Sequence, residues 1–139
     1  MKPKIALVTL FTSDLPAMRA FYEGALGFKP VTELGAYVEY HSEGVRFAVC
    51  ETGVMVDTVS AAEYSIAPRG QRVELAFPCD SPAEVDREFN RIITAGGGLV
   101  RAPADMPWGQ RAAFFSDPEG NIHELFANLP AEGQGEALS

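Results

Sequence analysis

Two carboxylates, Glu74 and Glu124, stand at strand-like positions among apolar neighbours. Glu74 lies in Arg72-Val73-Glu74-Leu75-Ala76-Phe77, and Glu124 in Ile122-His123-Glu124-Leu125-Phe126. Burying a carboxylate is costly unless something pairs with it. If both face one dry cavity, one pKa rises and a single site holds an acid and a base. That pair would serve an isomerase or lyase. Ion pairs with Arg72, Arg46 or Arg111 are the structural alternative, and the sequence leaves both open. A first-row metal wants three or four nitrogen, sulfur or oxygen ligands. Two glutamates alone would hold only a hard cation such as Mg²⁺, loosely. No cofactor is therefore expected, and any divalent metal would sit weakly on Glu74 and Glu124.

Trp108, the one tryptophan, follows Pro103 and Pro107 in a loop ahead of a strand. It reads either as a plug at the core edge or as a flat wall of a ligand pocket. In the second case Gln110 and Arg111 supply polar contacts, and Tyr40, Phe47, Phe11 and Phe126 are candidates for apolar lining. His41 lies at a hairpin turn. His123 must point away from Glu124, because strand side chains alternate; both histidines read as surface residues. Cys50 and Cys79 lack basic neighbours in sequence and read as reduced, buried thiols, not nucleophiles.

The elements that must position these residues are legible. Asp117-Pro118-Glu119-Gly120 has turn chemistry at each position, and the flanking runs are strand-like. In the first half, Lys4 to Thr12 is a strand, Ser13 an N-cap, and Leu15, Met18, Tyr22 and Leu26 a helical stripe stopped by Gly27. Tyr37 to Tyr40 and Val45 to Cys50 form a hairpin. In the second half, Arg72 to Cys79 is an alternating strand, Ser81-Pro82-Ala83-Glu84 a capping box, and Val85, Phe89 and Ile92 a buried stripe. Leu99 to Arg101, Arg111 to Ser116 and Asn121 to Ala127 complete it. The plan is βαβββ twice, repeating after about 65–70 residues. This gives an α+β class, with modules at about 4–51 and 71–127. The linker, 52–70, holds a capping-box match at Ser60-Ala61-Ala62-Glu63, and a flexible tail is expected over 128–139.

The chain has 139 residues, 47% hydrophobic and 22% charged, which suits one soluble domain. Its net charge of -8 argues against nucleic-acid binding and suits a cationic or metal-bound ligand. No apolar run is long enough to span a bilayer, and no signal peptide is visible. A cytoplasmic location is the expectation.

Asp14-Leu15, Phe21-Tyr22 and Leu26-Gly27-Phe28 resemble the opening of the vicinal oxygen chelate superfamily. Trp108-Gly109, Asp117-Pro118-Glu119-Gly120-Asn121 and Glu124 resemble its ending. That group includes glyoxalase I, extradiol dioxygenases, and the fosfomycin- and bleomycin-resistance proteins. The resemblance covers about Lys4 to Ala127. It implies two modules forming a cupped mixed sheet, in a homodimer whose sheets wall each cavity. It also implies ligand positions on four strands, which fall here on Leu7, Phe47, Glu74 and Glu124. Two of these are apolar. The expectation is a small-molecule-binding protein similar to the bleomycin-resistance branch. The alternative is a glyoxalase-like lyase or isomerase using Glu74 and Glu124, with or without a divalent metal.

Overall fold

The computed structural model describes residues 1–131. The chain divides into two compact units, Met1–Arg69 and one that begins at Gly70. Each carries a four-stranded mixed sheet.

The first unit runs β1 (Leu7–Thr12), α1 (Leu15–Arg19) continued by a π-helical turn (Ala20–Ala25), β2 (Pro30–Glu33), β3 (Tyr37–Tyr40) and β4 (Arg46–Glu51). Its strand order is β1-β4-β3-β2, with β1 parallel to β4 and the other pairs antiparallel. The helix is capped one residue later than Ser13. The Asp14 carboxylate accepts from the Ala17 N–H at 3.1 Å, and Thr12 Oγ1 accepts from the Asp14 N–H at 2.8 Å. An acidic cap also complements the positive end of the helix. Asp14→Ala is expected to cost about 1 kcal/mol in thermal or urea unfolding, and Ser13→Ala distinctly less. Gly27 follows the helix at φ 82°, a conformation glycine adopts without strain.

Strand parity decides what β4 presents. Phe47 pairs with Tyr40 and Val49 with Val38, and Phe47 meets Tyr22 and Phe28 of the helical layer with ring centroids 5.2 Å apart. Tyr40 and Phe47 are 1% and 5% exposed. They therefore belong to the aromatic core under the helix and do not line the opposite sheet face, where they were expected. Leu7 pairs with Arg46, Thr9 with Ala48 and Phe11 with Cys50, so that opposite face carries these residues. There Arg46 forks onto Glu39 at 2.7 Å, and Tyr37 donates to Glu39 at 2.8 Å, holding the Glu39 carboxyl at about 2. Below the core, Tyr40 donates to Glu23 at 2.9 Å. Burial, with that bond, raises its phenol above the usual range.

The segment after β4 is more ordered than a linker. It forms α2 (Thr52–Val59) and a 3₁₀ turn (Ala62–Ser65). Ser60 ends α2 in the left-handed conformation, at φ 61°, instead of starting a helix as a capping-box residue.

The second unit runs β5 (Ala76–Pro78), α3 (Pro82–Thr94), β6 (Gly98–Asp105), β7 (Gln110–Ser116) and β8 (Ile122–Asn128). Its order, β5-β8-β7-β6, repeats the first unit's plan, with β5 parallel to β8. Ser81 Oγ accepts from the Glu84 N–H at 3.1 Å, and Val85, Phe89 and Ile92 are buried as their spacing requires. β5 is shorter than the strand expected over 72–79, because the chain before Ala76 leaves the sheet ladder. Of the tail expected over 128–139, Asn128 pairs with Gln110 and the Leu129 N–H donates to the Gly109 carbonyl at 2.9 Å. Residues 132–139 lie outside the described residues.

Candidate functional site

The β7–β8 hairpin builds the site. Asp117, 5% exposed, nucleates its turn. Its Oδ1 accepts from the Glu119 and Asn121 N–H groups at 2.9 Å, and its Oδ2 from the Asn121 side chain at 2.8 Å. That turn fixes the register Phe114↔Glu124, Ala112↔Phe126 and Gln110↔Asn128, which sets these residues on one face. The other face of β8 buries His123, Leu125 and Ala127. Ala76 on β5 pairs with Glu124, and Glu74, two residues earlier, follows the same parity. A concavity of about 380 Å³ results, lined by Glu74, Ala76, Trp108, Gln110, Phe114, Glu124 and Phe126.

The indole of Trp108 is held in place, not loose. The loop before β7 closes with the Met106 N–H on the Gln110 carbonyl at 2.7 Å and the Gly109 N–H on the Met106 carbonyl at 3.1 Å. Gly109 takes φ 89° in this turn. Trp108 Nε1 donates to Gln110 Oε1 at 3.0 Å, and Gln110 Nε2 donates to Asn128 Oδ1 at 3.1 Å. Gln110 is 4% exposed, so its amide orients the ring by satisfying its own buried polar atoms.

Glu74 and Glu124 have no ion-pair partner among the described residues. Arg46 is engaged by Glu39. Arg111 forks onto Asp86 of α3 at 2.7 Å and reaches Asp105 at 3.0 Å, so it braces the back of the sheet and is not a pocket contact. Burial, and then the neighbouring Glu74, raise the Glu124 carboxyl above its usual range. His123 is not a surface residue. It is 1% exposed, packs edge-on to Phe77 and Phe115, and accepts from the Leu75 N–H at Nδ1, 3.3 Å away. His41 is exposed, as its turn position requires. Cys50 and Cys79 are free thiols. Burial, with Glu84, Glu88 and Asp80 behind it, pushes Cys79 up to about 11, which removes it as a nucleophile at neutral pH.

Phe114 and Ala76 were missed by sequence reasoning, although counting back from the Asp117 turn pairs Phe114 with Glu124. The donor set does not match a transition-metal centre. Among the described residues no group of three or more His, Cys, Asp or Glu side chains is placed to hold an ion, and such metals take three or four.

The model of a known family, described as the glyoxalase/bleomycin resistance protein/dioxygenase superfamily, matches residues 4–125. The chain belongs to that superfamily. A glyoxalase/bleomycin resistance protein/dioxygenase from Nocardioides is 29% identical with a TM-score of 0.82, over 98% of this chain and 91% of that one. A glyoxalase-related enzyme from Fulvimarina pelagi is 27% identical with a TM-score of 0.81, over 98% and 97%. A lactoylglutathione lyase from Agrobacterium tumefaciens, 24% identical with a TM-score of 0.68 over 91% and 96%, shares the fold. No curated protein matches the chain. Within this superfamily fold, the position of β4 that corresponds to Glu124 is Ala48, not Phe47. Ala48 pairs with Thr9, which stands as far before its cap Asp14 as Ala76 does before Ser81. No helix among the described residues is long and apolar enough to cross a membrane.

Proposed function

We propose that the concavity of the second unit binds a small organic cation, with its charge against Glu74 and Glu124 and a flat apolar face against Trp108, Phe114 and Phe126. The observation that carries this reading is a pair of carboxylates without cationic partners among the described residues, on an aromatic-walled surface. Carboxylates attract the charge, and ring faces add cation–π attraction. In this reading the protein is a binding protein like the resistance branch of its superfamily, needs no metal, and works as a homodimer. Sedimentation equilibrium is expected to give twice the chain mass of 15.0 kDa.

Benzyltrimethylammonium is a suitable probe because it unites a ring and a fixed charge. It is expected to quench Trp108 fluorescence saturably, with benzyl alcohol binding at least about tenfold more weakly. Equal binding of the two would remove the carboxylates from the account. A second reading rests on the raised Glu124 carboxyl beside Glu74: acid–base chemistry of a glyoxalase-like lyase or isomerase on a small hydroxycarbonyl compound. Deuterium uptake from D₂O into such a compound, abolished in Glu124→Gln, would favour it over binding alone.

A further inference from the structure

The backbone ladder that carries Glu74 toward the concavity stops before it reaches that residue. Regular pairing begins at Ala76↔Glu124, and one more bond, from the Glu124 N–H to the Leu75 carbonyl at 2.9 Å, extends it. Beyond that point side chains replace the missing strand. The Leu75 N–H donates to His123 Nδ1 at 3.3 Å, where a regular strand would offer it a carbonyl. The Gln71 amide takes over the margin of Ile122 in both senses. Its Nε2 donates to the Ile122 carbonyl at 2.8 Å, and its Oε1 accepts from the Ile122 N–H at 3.1 Å. The same Nε2 also donates to the Val73 carbonyl.

Glu74 therefore rides on a short detour between two anchors. Upstream, Gln71 ties Val73 to β8; downstream, His123 ties Leu75 to it. His123 is a rigid anchor, because Phe77 and Phe115 wedge its ring and Asp117 Oδ2 lies 3.8 Å from its Nε2. The Glu74 side chain makes no ion pair among the described residues. Its place at the concavity is thus set by its backbone, and that backbone is set by the two anchors.

We infer that Gln71 is a positioning residue that, working against the fixed His123, holds Glu74 at the concavity opposite Glu124. Only the second of two tests rests on the proposed cation site. In the first, Gln71→Ala and Gln71→Glu are compared with the parent by amide hydrogen exchange and by ¹³C relaxation of glutamate methylenes. Gln71→Ala is expected to speed exchange at the Ile122 N–H about tenfold, the loss of one such bond. The Glu74 methylenes gain mobility while those of Glu124 do not. Gln71→Glu keeps the acceptor for Ile122 and so retains part of the protection. Glu74 methylenes as ordered as in the parent would overturn the inference.

In the second test, Gln71→Ala is combined with Glu74→Gln and benzyltrimethylammonium is titrated. Gln71→Ala weakens binding about threefold to tenfold in the parent and leaves the Glu74→Gln variant unchanged. Equal weakening in both backgrounds marks a merely structural role and overturns the inference. A parent that does not bind the probe overturns the proposed function instead, and the relaxation result then decides the role of Gln71.

Discussion

Asp117→Ala is expected to remove about 3 kcal/mol of stability, with Tm falling by roughly 10 °C. The loss follows from how much one side chain satisfies. Asp117 accepts two backbone N–H groups and the Asn121 amide, and its neighbour His123 is buried. Truncation leaves those donors in a part-buried turn with no partner, which costs more than the bonds contribute when made. Asp117→Asn is the informative control. It keeps one carbonyl oxygen for the backbone donors but turns an amide toward the Asn121 amide, so its loss should be about half as large. Differential scanning calorimetry of both variants checks the ordering. A deletion as mild as the amide variant would show that Gly120, at φ 86°, and Pro118 suffice to close the turn.

Glu124→Gln is expected to do two opposite things. Affinity for benzyltrimethylammonium falls about tenfold, the usual worth of a charged contact of this kind, while Tm at neutral pH rises. The gain in stability follows from the raised carboxyl. A carboxyl that holds its proton more tightly in the folded chain than in the unfolded one favours folding at low pH. That contribution is lost as pH rises through the folded pKa, so the ionised group is a cost at neutrality. Glutamine carries no such cost. Its advantage should shrink as the pH falls and vanish below the ordinary carboxyl value, where the parent's glutamate is protonated in the folded and the unfolded chain alike. Thermal unfolding of the two proteins from pH 7 to pH 3, with probe titrations at pH 7, separates the two effects. A variant less stable at every pH would mean that Glu124 is satisfied by a contact that glutamine cannot reproduce. The trade-off has the form expected of a functional group kept against the interest of stability.

Much of this architecture was legible from the chain itself, and the failures share a cause. The Asp117 turn, the Ser81 cap and the Val85, Phe89 and Ile92 stripe depend on residues a few positions apart, so local rules find them. The parity that sets Glu74 and Glu124 on one face is equally local once the strands are placed. Sequence alone sets Phe47 and Tyr40 on the wrong face because one residue of slip reverses the face of a strand; the pairings of β4 with β1 and β3 show which residue faces which way. Arg111 was drawn into the site by its nearness to Trp108 in sequence. Its partners, Asp86 and Asp105, come from two other elements and could not be seen from its neighbours. His123 was assigned to the surface because polarity was weighed without its surroundings; Phe77 and Phe115 bury it from separate strands. The late start of β5, at Ala76, is hidden for a related reason, since alternation in Arg72 to Cys79 says nothing about a glutamine amide that competes for the ladder.

The amide of Gln71 also has a consequence for how copies of this protein meet one another. β8 is longer than β5, so the stretch of β8 before Glu124 would otherwise run along an open margin, with Val73 exposed beside it. A bare N–H and C=O on such a margin are a template on which a strand from another molecule can grow. At Ile122 both groups are already taken by a side chain that cannot itself propagate a ladder. At that residue the glutamine therefore finishes the margin as a selvedge finishes cloth, leaving no loose thread there for a neighbouring chain to extend.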